Sequence, residues 1–342
     1  GDCVISYQLE MLGTGHTVMC AADKLEGFEG NVVVLCGDSP LIRPATIEAL
    51  IAAHEATGSA ATVLTMEPAD PFGYGRIVRD GNGNVCGIVE EKDCTDEQRA
   101  IRECNSGVFC FSAPALLSHL DRNNAQGEYY LTDMLALLAA DGLTVSSMVV
   151  EDDDECLGVN SRSQLAIASK IAQHRINEQL MADGITMLDP DLVWVGPDCI
   201  VENDVELLPM TMLWGSTRVS SGCVIGPNTR LTDCAIGADN VLEEVVGIET
   251  TTEAGVTVGP RAYLRPGTYL CEGAHVGTHV EIKKSTVGPD SKVPHLSYIG
   301  DATIGTDVNI GAGSITCNYD GVNKHQTIIG DFTFVGSNTM LV

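Results

Sequence analysis

A carboxylate that could bind a nucleotide or a metal ion follows a continuous apolar stretch near the start of the sequence. Residues 31–36 (NVVVLC) are apolar apart from the leading asparagine, and Gly37 and Asp38 follow directly. Such a run is typical of a parallel strand that is buried on both faces. Because α/β sheets place ligand and metal groups at the carboxyl ends of their strands, Asp38 is a candidate ligand. A turn aspartate that accepts hydrogen bonds from nearby backbone N–H groups explains it equally well.

A threonine between two glycines lies upstream of that strand. Gly13, Thr14 and Gly15 follow residues 1–8, which are predicted to form a strand from their β-branched and aromatic residues. Glycines at the end of a strand form a turn whose backbone N–H groups can contact a base or a phosphate. On its own this signal is weak.

Residues 261–324 are electrically neutral within a strongly acidic protein. The chain has 19 Lys and Arg against 47 Asp and Glu, a formal net charge of −28. Within the stretch, Arg261, Arg265, Lys283, Lys284, Lys292 and Lys324 balance Glu272, Glu281, Asp290, Asp301, Asp307 and Asp320. Chance could produce this balance, but an anionic small molecule could also bind here. The acidity of the rest of the chain argues against nucleic acid and anionic membranes as partners.

A six-residue repeat predicts the element that carries these cations. Aliphatic residues recur at every sixth position from Val258 to Ile282, and the count resumes at Val287, Ile304 and Ile329. This period fits neither a helix nor a single strand. Three strand-and-corner units would form a triangular coil, and stacked coils would bury an aliphatic column. A sandwich of short strands is the alternative, but its variable strand lengths would interrupt the count. The repeat therefore predicts a hexapeptide parallel β-helix.

The first half of the chain alternates predicted strands and helices, which is typical of an α/β domain. Residues 61–66 are predicted to form a strand, and residues 44–56 a helix that begins at a proline. Residues 161–184 predict a long amphipathic helix ending at a glycine, with an apolar stripe of Leu165, Ala168, Ala172, Ile176 and Leu180. We therefore predict an α/β domain over residues 1–160, a linker helix over 161–184 and the β-helix over 185–342.

Composition limits the classes of protein. A hydrophobic content of 44% suits a buried core, and no apolar run reaches the roughly 20 residues that a membrane span needs. The 13 cysteines include no Cys-x-x-Cys pair. Reduced, mostly buried thiols in a cytoplasmic protein are the expected state.

Several motifs resemble those of one bacterial enzyme family over essentially the whole chain. They are LGTGH, GDSPL, GYGRIV, IVEEKD and NNAQGEYYLTD in the first half, and YLRPG, GAHVG, VEIKK and GDATIGTDVNIGAGSITCNYDG in the second. In this order they resemble the bifunctional N-acetylglucosamine-1-phosphate uridylyltransferase / glucosamine-1-phosphate acetyltransferases, and residues 316–321 (TCNYDG) are the most specific part. The resemblance implies a Rossmann-like nucleotidyltransferase domain followed by a left-handed parallel β-helix.

The resemblance implies a uridylyltransferase site in the first domain. Asp38 and Asn160 match the family's Mg²⁺ ligands, and two hard oxygen ligands leave such an ion free to bridge phosphates. N-acetylglucosamine 1-phosphate would attack the α-phosphorus of UTP, with catalysis by positioning and by charge neutralisation. Gln8, Gly13 and Thr14 match contacts to uridine, Asn160 also belongs to the nucleotide site, and Gly75, Glu90, Asn105, Tyr130 and Thr132 match contacts to the sugar.

The resemblance implies an acetyltransferase site in the β-helix. There the amine of glucosamine 1-phosphate would attack the thioester of acetyl-CoA, and because an ammonium is not a nucleophile, a base must remove its proton. His295 matches that base, and imidazole titrates in a suitable range. A lone histidine is more often a surface residue, and His275 and His279 are expected to be structural. Arg265 and Lys283 match phosphate ligands, Tyr298, Asn309 and Lys324 match further sugar-phosphate contacts, and Asn318, Tyr319 and Ser337 match positions around the amine and acetyl-CoA.

The same resemblance predicts that the sequence is an internal fragment of a longer protein. The family opens with a Gly-x-Gly-Thr-Arg-Met loop that cradles the UTP phosphates, and its β-helix continues beyond the position of Val342. The fragment is therefore expected to lack uridylyltransferase activity and part of the acetyl-CoA site. The family also implies a homotrimer, with acetyltransferase sites between neighbouring β-helices.

Two other functions are compatible with the sequence. The first is a sugar nucleotidyltransferase with a single activity, whose β-helix only regulates it or forms oligomers. The second is a trimeric scaffold without enzymatic activity. The clustering of Arg265, Lys283, His295 and Lys324 argues against a scaffold, which has no need of such a group. The bifunctional enzyme of amino-sugar nucleotide synthesis, supplying cell-wall precursors, is the favoured interpretation.

Overall fold

A computed structural model describes residues 3–120 and 129–342. Two compact units divide the chain, Gly1–Ser169 and Lys170–Val342. The division falls inside the helix that the sequence predicts as a linker. In the described part of the chain, no helix is long and apolar enough to cross a membrane.

The first unit contains a mixed sheet. Its strands are β1 Asn31–Val34, β2 Ala61–Met66, β3 Arg76–Arg79, β4 Val85–Val89, β5 Cys104–Ser112 and β6 Val145–Val149. The order is β4-β3-β5-β2-β6, with β1 also paired to β5. Its helices are α1 Thr14–Met19, α2 Pro44–Thr57, α3 Asp96–Arg99, α4 Ala113–His119 and α5 Leu131–Ala140, with 3₁₀ turns at Ala22–Lys24, Glu91–Asp93 and Asp153–Cys156.

Strand β2 lies between β5 and β6 in this sheet. It pairs parallel with β6 and antiparallel with β5, and all six of its residues are buried. Val63 packs into one apolar cluster with Phe109 and Phe111, while Leu64 packs into another with Cys104. The prediction of a strand over residues 61–66 is confirmed, as is the helix beginning at Pro44.

Two predictions about the first strands are wrong. Residues 3–8 form no strand, and residues 1 and 2 lie outside the described part of the chain. β-Propensity alone does not make a strand, because a strand needs a partner with which to form its ladder. Strand β1 pairs antiparallel with β5, from Asn31 opposite Ser112 to Val34 opposite Phe109, and is half-buried. An apolar run therefore located a strand correctly but did not determine its direction or its burial.

A long helix, α6 Arg162–Ala182, confirms the helix predicted over residues 161–184. Ile176 and Leu180 of the predicted stripe pack against the core of the second unit, whereas Leu165 is largely exposed. The sequence did not predict that amides would anchor this helix. The side chains of Gln173 and Asn177 are buried and donate hydrogen bonds to backbone carbonyls of the turn at Pro190–Leu192 and of Val193.

The second unit is a parallel β-helix of three sheets. The first contains β7 Thr186–Met187, β10 Glu206–Leu207, β13 Val224–Ile225, β16 Val241–Leu242, β19 Thr257–Val258, β22 His275–Thr278, β25 Lys292–His295, β28 Asn309–Ile310 and β31 Phe334–Val335. The second contains β8 Trp194–Val195, β11 Met212–Trp214, β14 Arg230–Thr232, β17 Val246–Ile248, β20 Tyr263–Leu264, β23 Glu281–Lys283, β26 Tyr298–Gly300, β29 Ile315–Thr316 and β32 Met340–Leu341. The third contains β9 Ile200–Val201, β12 Arg218–Val219, β15 Ala235–Ile236, β18 Thr250–Thr252, β21 Thr268–Leu270, β24 Thr286–Val287, β27 Ala302–Ile304 and β30 Thr327–Ile329.

The aliphatic residues of the repeat form the core of this unit. Leu264, Ile282 and Ile299 are in register on successive coils, and each is buried. The predicted column of Val258, Leu264, Leu270, Val276, Ile282, Val287, Val293, Ile299, Ile304, Ile310, Ile329 and Val335 lies in one cluster. The predicted fold class is confirmed, and the three-sheet coil is consistent with a left-handed β-helix.

Candidate functional sites

The side chains of Asp38 and Asn160 lie close together, and both are next to Gly158. The backbone N–H of Val159 donates to the Asp38 carbonyl at 2.8 Å. A Cβ atom built on Gly158 would lie 3.6 Å from Asn160 Nδ2 and 3.9 Å from Asp38 Oδ2. The described residues contain no group of three His, Cys, Asp or Glu side chains that could hold a metal ion. One carboxylate and one amide fit an ion such as Mg²⁺, which keeps most of its coordination positions for water and phosphates.

The loop around Gly13 is fixed against the segment that leads into α5. Gly15 N–H donates to the Tyr129 carbonyl at 2.7 Å, and Leu131 N–H donates to Thr14 Oγ1 at 3.1 Å. Gly13 has φ +102°, and a Cβ atom there would overlap the Tyr129 carbonyl, so the position requires glycine. Gln8 Nε2 donates to the Gly13 carbonyl at 3.2 Å. The three predicted uridine contacts therefore belong to one loop.

A cavity of about 580 Å³ lies next to this loop. Three of the predicted sugar contacts line it, Glu90, Tyr130 and Thr132. The other two are adjacent. A Cβ atom on Gly75 would lie 3.5 Å from Glu90 Oε2, and Asn105 N–H donates to the Gly75 carbonyl at 2.8 Å. The five predicted sugar contacts thus lie in or beside one cavity. Residues 123–128 of the NNAQGEYYLTD motif lie outside the described part of the chain.

A buried ion pair that the sequence did not predict supports this cavity. Arg76 follows Gly75 and is 2% exposed, and its Nη2 lies 2.7 Å from Glu91 Oε2, next to Glu90. Arg76 Nη1 also donates to the Tyr74 carbonyl. The pair therefore ties the residue after Gly75 to the residue after Glu90. The only sequence signal was a cation and an anion next to the two predicted sugar contacts.

In the β-helix, three cations approach one another on neighbouring coils. Leu264 is in register with Ile282, which places the following residues, Arg265 and Lys283, side by side. The ammonium group of Lys324 lies against Lys283 and is the main reason that the pKa of Lys283 is below its ordinary value. Arg265 Nη1 donates to Glu281 Oε1 at 2.8 Å, which raises the pKa of the guanidinium. Three neighbouring cations, close enough for the pKa of Lys283 to be lowered, form a site suited to a phosphate.

A loop between β29 and β30 presents Lys324. Asp320 accepts hydrogen bonds from the backbone N–H groups of Val322 and Asn323, at 2.8 and 2.6 Å. It also pairs with His325 Nε2 at 2.7 Å, and these bonds hold the pKa of Asp320 well below its ordinary value. Tyr319, a predicted acetyl-CoA contact, forms an isolated bridge with Lys324.

Asn318 and Tyr298 adjoin the cations. Asn318 is 7% exposed, and its Nδ2 lies 3.5 Å from Tyr298 Oη and 2.6 Å from Asp301 Oδ2. Tyr298 follows Glu281 in register on the next coil. The sequence predicted Tyr298 and Asn318 but not Asp301, although one coil of the repeat separates Asp301 from Asn318.

His295 lies at the exposed end of β25, in register with Thr278. His275, on the neighbouring strand, is close enough for His295 to contribute to the lowered pKa of His275, after burial and Lys292. Asn309 and Ser337 follow on β28 and after β31. Among the described residues, no hydrogen bond or ion pair links these two side chains to the three cations.

Comparisons with known proteins cover the whole chain. The family model for nucleotidyl transferases matches residues 2–180. A "Bifunctional protein GlmU" of Carboxydothermus hydrogenoformans is 49% identical over 345 residues, which cover 100% of this chain and 77% of that protein. A protein of the same name from Heliobacterium modesticaldum is 50% identical, and the match covers 98% of this chain and 74% of that protein. Another, from Corynebacterium diphtheriae, is 48% identical, and the match covers 100% of this chain and 72% of that protein. Because identity is this high over the whole chain, the protein belongs to the GlmU family of bifunctional proteins.

Proposed function

We propose that the chain carries the two sites with which the bifunctional enzyme makes UDP-N-acetylglucosamine in two steps. Acetyl-CoA first acetylates glucosamine 1-phosphate, and UTP then uridylylates the N-acetylglucosamine 1-phosphate with release of pyrophosphate. We assign uridylyl transfer to residues 1–160 and acetyl transfer to residues 185–342, with residues 161–184 as the linker. The convergence of Arg265, Lys283 and Lys324 next to Asn318 carries this assignment, because these cations match the phosphate of a sugar phosphate.

In the acetyl-transfer site, His295 removes a proton from the amino group of glucosamine 1-phosphate, and the neutral amine attacks the thioester carbonyl of acetyl-CoA. As the C–S bond breaks, coenzyme A leaves as the thiol, taking up the proton that the attacking nitrogen loses. Arg265, Lys283 and Lys324 bind the phosphate, with Tyr298 and Asn309 as further contacts to the sugar phosphate. Asn318, Tyr319 and Ser337 lie around the amine and acetyl-CoA. A homotrimer in which neighbouring β-helices share each site fits the exposed position of His295 on an outer corner.

In the uridylyl-transfer site, Gln8, Gly13 and Thr14 bind the nucleotide, and Gly75, Glu90, Asn105, Tyr130 and Thr132 bind the sugar. Asp38 and Asn160 would hold Mg²⁺, which neutralises phosphate charge when it is bound. The buried pair of Arg76 and Glu91 keeps the cavity in shape. All these ligands are small molecules, and a cytoplasmic location is the one in which acetyl-CoA and UTP are available.

The experiment that tests this assignment uses two sugar phosphates as probes for two sites. We expect Lys324→Ala to weaken binding of glucosamine 1-phosphate at least about tenfold, since a charge-assisted hydrogen bond contributes roughly 1.5–3 kcal/mol. Its affinity for N-acetylglucosamine 1-phosphate should stay within about twofold of the parent value. Glu90→Ala should have the reverse effects. Titration calorimetry measures both constants, and variants that weaken both ligands equally would contradict two separate sites.

The close approach of Lys283 and Lys324 predicts a pH dependence. Because Lys324 lowers the pKa of Lys283, Lys283 loses its proton at a lower pH than an isolated lysine does. Phosphate binding needs the charged form, so affinity for glucose 1-phosphate should fall as pH rises through that lowered pKa. In Lys324→Ala the affinity is weaker throughout, but its decline should begin at a higher pH. A decline at the same pH in both proteins would show that Lys324 does not act on Lys283.

A further inference from the structure

Asp301 is a nearly buried carboxylate between the cations and Asn318. Its side chain is 11% exposed. Its Oδ2 accepts a hydrogen bond from Asn318 Nδ2 at 2.6 Å, and its Oδ1 lies 3.9 Å from Lys284 Nζ. Its backbone N–H donates to the Lys283 carbonyl at 3.0 Å. The Asp301 backbone is therefore fixed to the coil that carries Lys283, and the Asp301 side chain reaches the next coil through its short contact with Asn318.

That contact determines which way the Asn318 amide faces. An ionised carboxylate only accepts hydrogen bonds, so the Asn318 atom nearest to Asp301 is the NH₂ group. The amide oxygen must then lie at the other end of the group. Among the described residues, no donor is paired with Asn318 Oδ1. The Asn318 backbone is also held, because its carbonyl accepts from His325 N–H at 2.9 Å.

We propose that Asp301 is a positioning residue for acetyl transfer, which fixes the Asn318 amide so that its oxygen accepts a hydrogen bond from the amino group of the sugar phosphate. This rests on the proposed function of the same site. The ammonium form of the substrate donates to Asn318 Oδ1 on binding. After one proton has passed to the His295 imidazole, a remaining N–H keeps the bond and directs the nitrogen lone pair. Asp301 itself does not touch the substrate.

The test separates the amino group from the phosphate. Glucosamine 1-phosphate and glucose 1-phosphate share the phosphate and the ring, but only the first carries an ammonium. We expect Asp301→Asn to weaken the binding of glucosamine 1-phosphate about tenfold. The new amide allows the Asn318 amide to rotate by 180°, and the charge-assisted hydrogen bond to the substrate is then lost. The affinity for glucose 1-phosphate should change by less than about threefold. A general loss of structure would weaken both ligands alike.

A double-variant cycle then shows whether Asp301 acts through Asn318. In an Asn318→Ala background, Asp301→Asn should change the affinity for glucosamine 1-phosphate by less than about twofold. The exchanged variant, Asp301→Asn with Asn318→Asp, restores a donor at 301 and an acceptor oxygen at 318. Its affinity for glucosamine 1-phosphate should lie within about threefold of that of the parent chain. If Asp301→Asn alone does not fold, the exchanged variant is used for the test instead.

Three results would overturn the proposal: equal weakening of both ligands, an undiminished effect of Asp301→Asn in the Asn318→Ala background, or an exchanged variant that fails to bind. A parent chain that binds neither sugar phosphate would instead overturn the proposed function. If the parent binds both and Lys324→Ala weakens both, the phosphate site stands whatever happens at Asp301.

Discussion

Replacing Gly300 with alanine is expected to lower the rate of acetyl transfer about 100-fold while the β-helix stays folded. A Cβ atom at this position would lie 2.7 Å from Asn318 Nδ2 and would overlap the hydroxyl of Tyr298. Because these are the free ends of two side chains, they move and the backbone does not have to. A displacement of about 1 Å in groups that position a substrate can reduce a rate about 100-fold.

Gly330 provides the matched control. Like Gly300, it directly follows an inward-facing isoleucine of the repeat, but a Cβ atom there would meet nothing within 4 Å. Gly330→Ala should therefore keep the parent rate. Initial rates of CoA release and thermal unfolding followed by circular dichroism measure both properties. Full activity in Gly300→Ala, or an equal loss in both variants, would contradict the placement of Tyr298 and Asn318 at the reacting groups.

The largest loss of stability is expected from Glu91→Gln. Arg76 is almost fully buried, and its Nε has no hydrogen-bond partner among the described residues, so its charge is balanced by Glu91 while the Tyr74 carbonyl accepts from Nη1. Removing one partner of a buried ion pair costs about 3–5 kcal/mol. We expect a loss near the lower end, about 3 kcal/mol, because Glu91 is partly exposed. Arg76→Met should cost less, since Arg99 Nε remains 3.5 Å from Glu91 Oε1.

The positions of the tryptophans allow this effect to be assigned to one unit. Trp194 and Trp214 both lie in the β-helix, so tryptophan fluorescence follows that unit. Circular dichroism at the helical band is dominated by the helices of the first unit and by α6. In Glu91→Gln the helical transition should shift to lower denaturant, and the fluorescence transition should not. A larger effect of Arg76→Met than of Glu91→Gln would show that Glu91 is not the limiting partner.

The β-helix could be predicted from the sequence because each inward position has one role. Val258, Leu264 and the later members of the column are buried wherever the count of six places them. The first unit offered no such constraint. A strand was correctly expected within residues 31–36, but the direction of β1 depends on its pairing with residues of β5 that lie 75 to 81 positions later in the chain. Periodicity describes burial and does not describe pairing.

The candidate sites, like the fold, could be predicted from the sequence only in part. Of the residues matched from the family, Glu90 and Tyr130 line one cavity of the first unit, and Asn318 of the second unit contacts Asp301. The residues that support them were missed, because Arg76 pairs with Glu91 beyond the neighbouring strand and Asp301 pairs with Asn318 on the next coil. The pair of Asp301 and Asn318 could have been predicted from the sequence. Partners in the β-helix are about one coil apart, and Asp301 and Asn318 have that spacing.

Acetyl transfer by the β-helix is tested most directly by CoA release from acetyl-CoA in the presence of glucosamine 1-phosphate. The parent chain, His295→Ala and His275→Ala are compared, since His275 is a second histidine on the same sheet without a proposed catalytic role. We expect CoA release that requires glucosamine 1-phosphate, falls at least about 100-fold in His295→Ala and stays within about threefold of the parent rate in His275→Ala. Release that continues at the parent rate in His295→Ala would contradict acetyl transfer by this site.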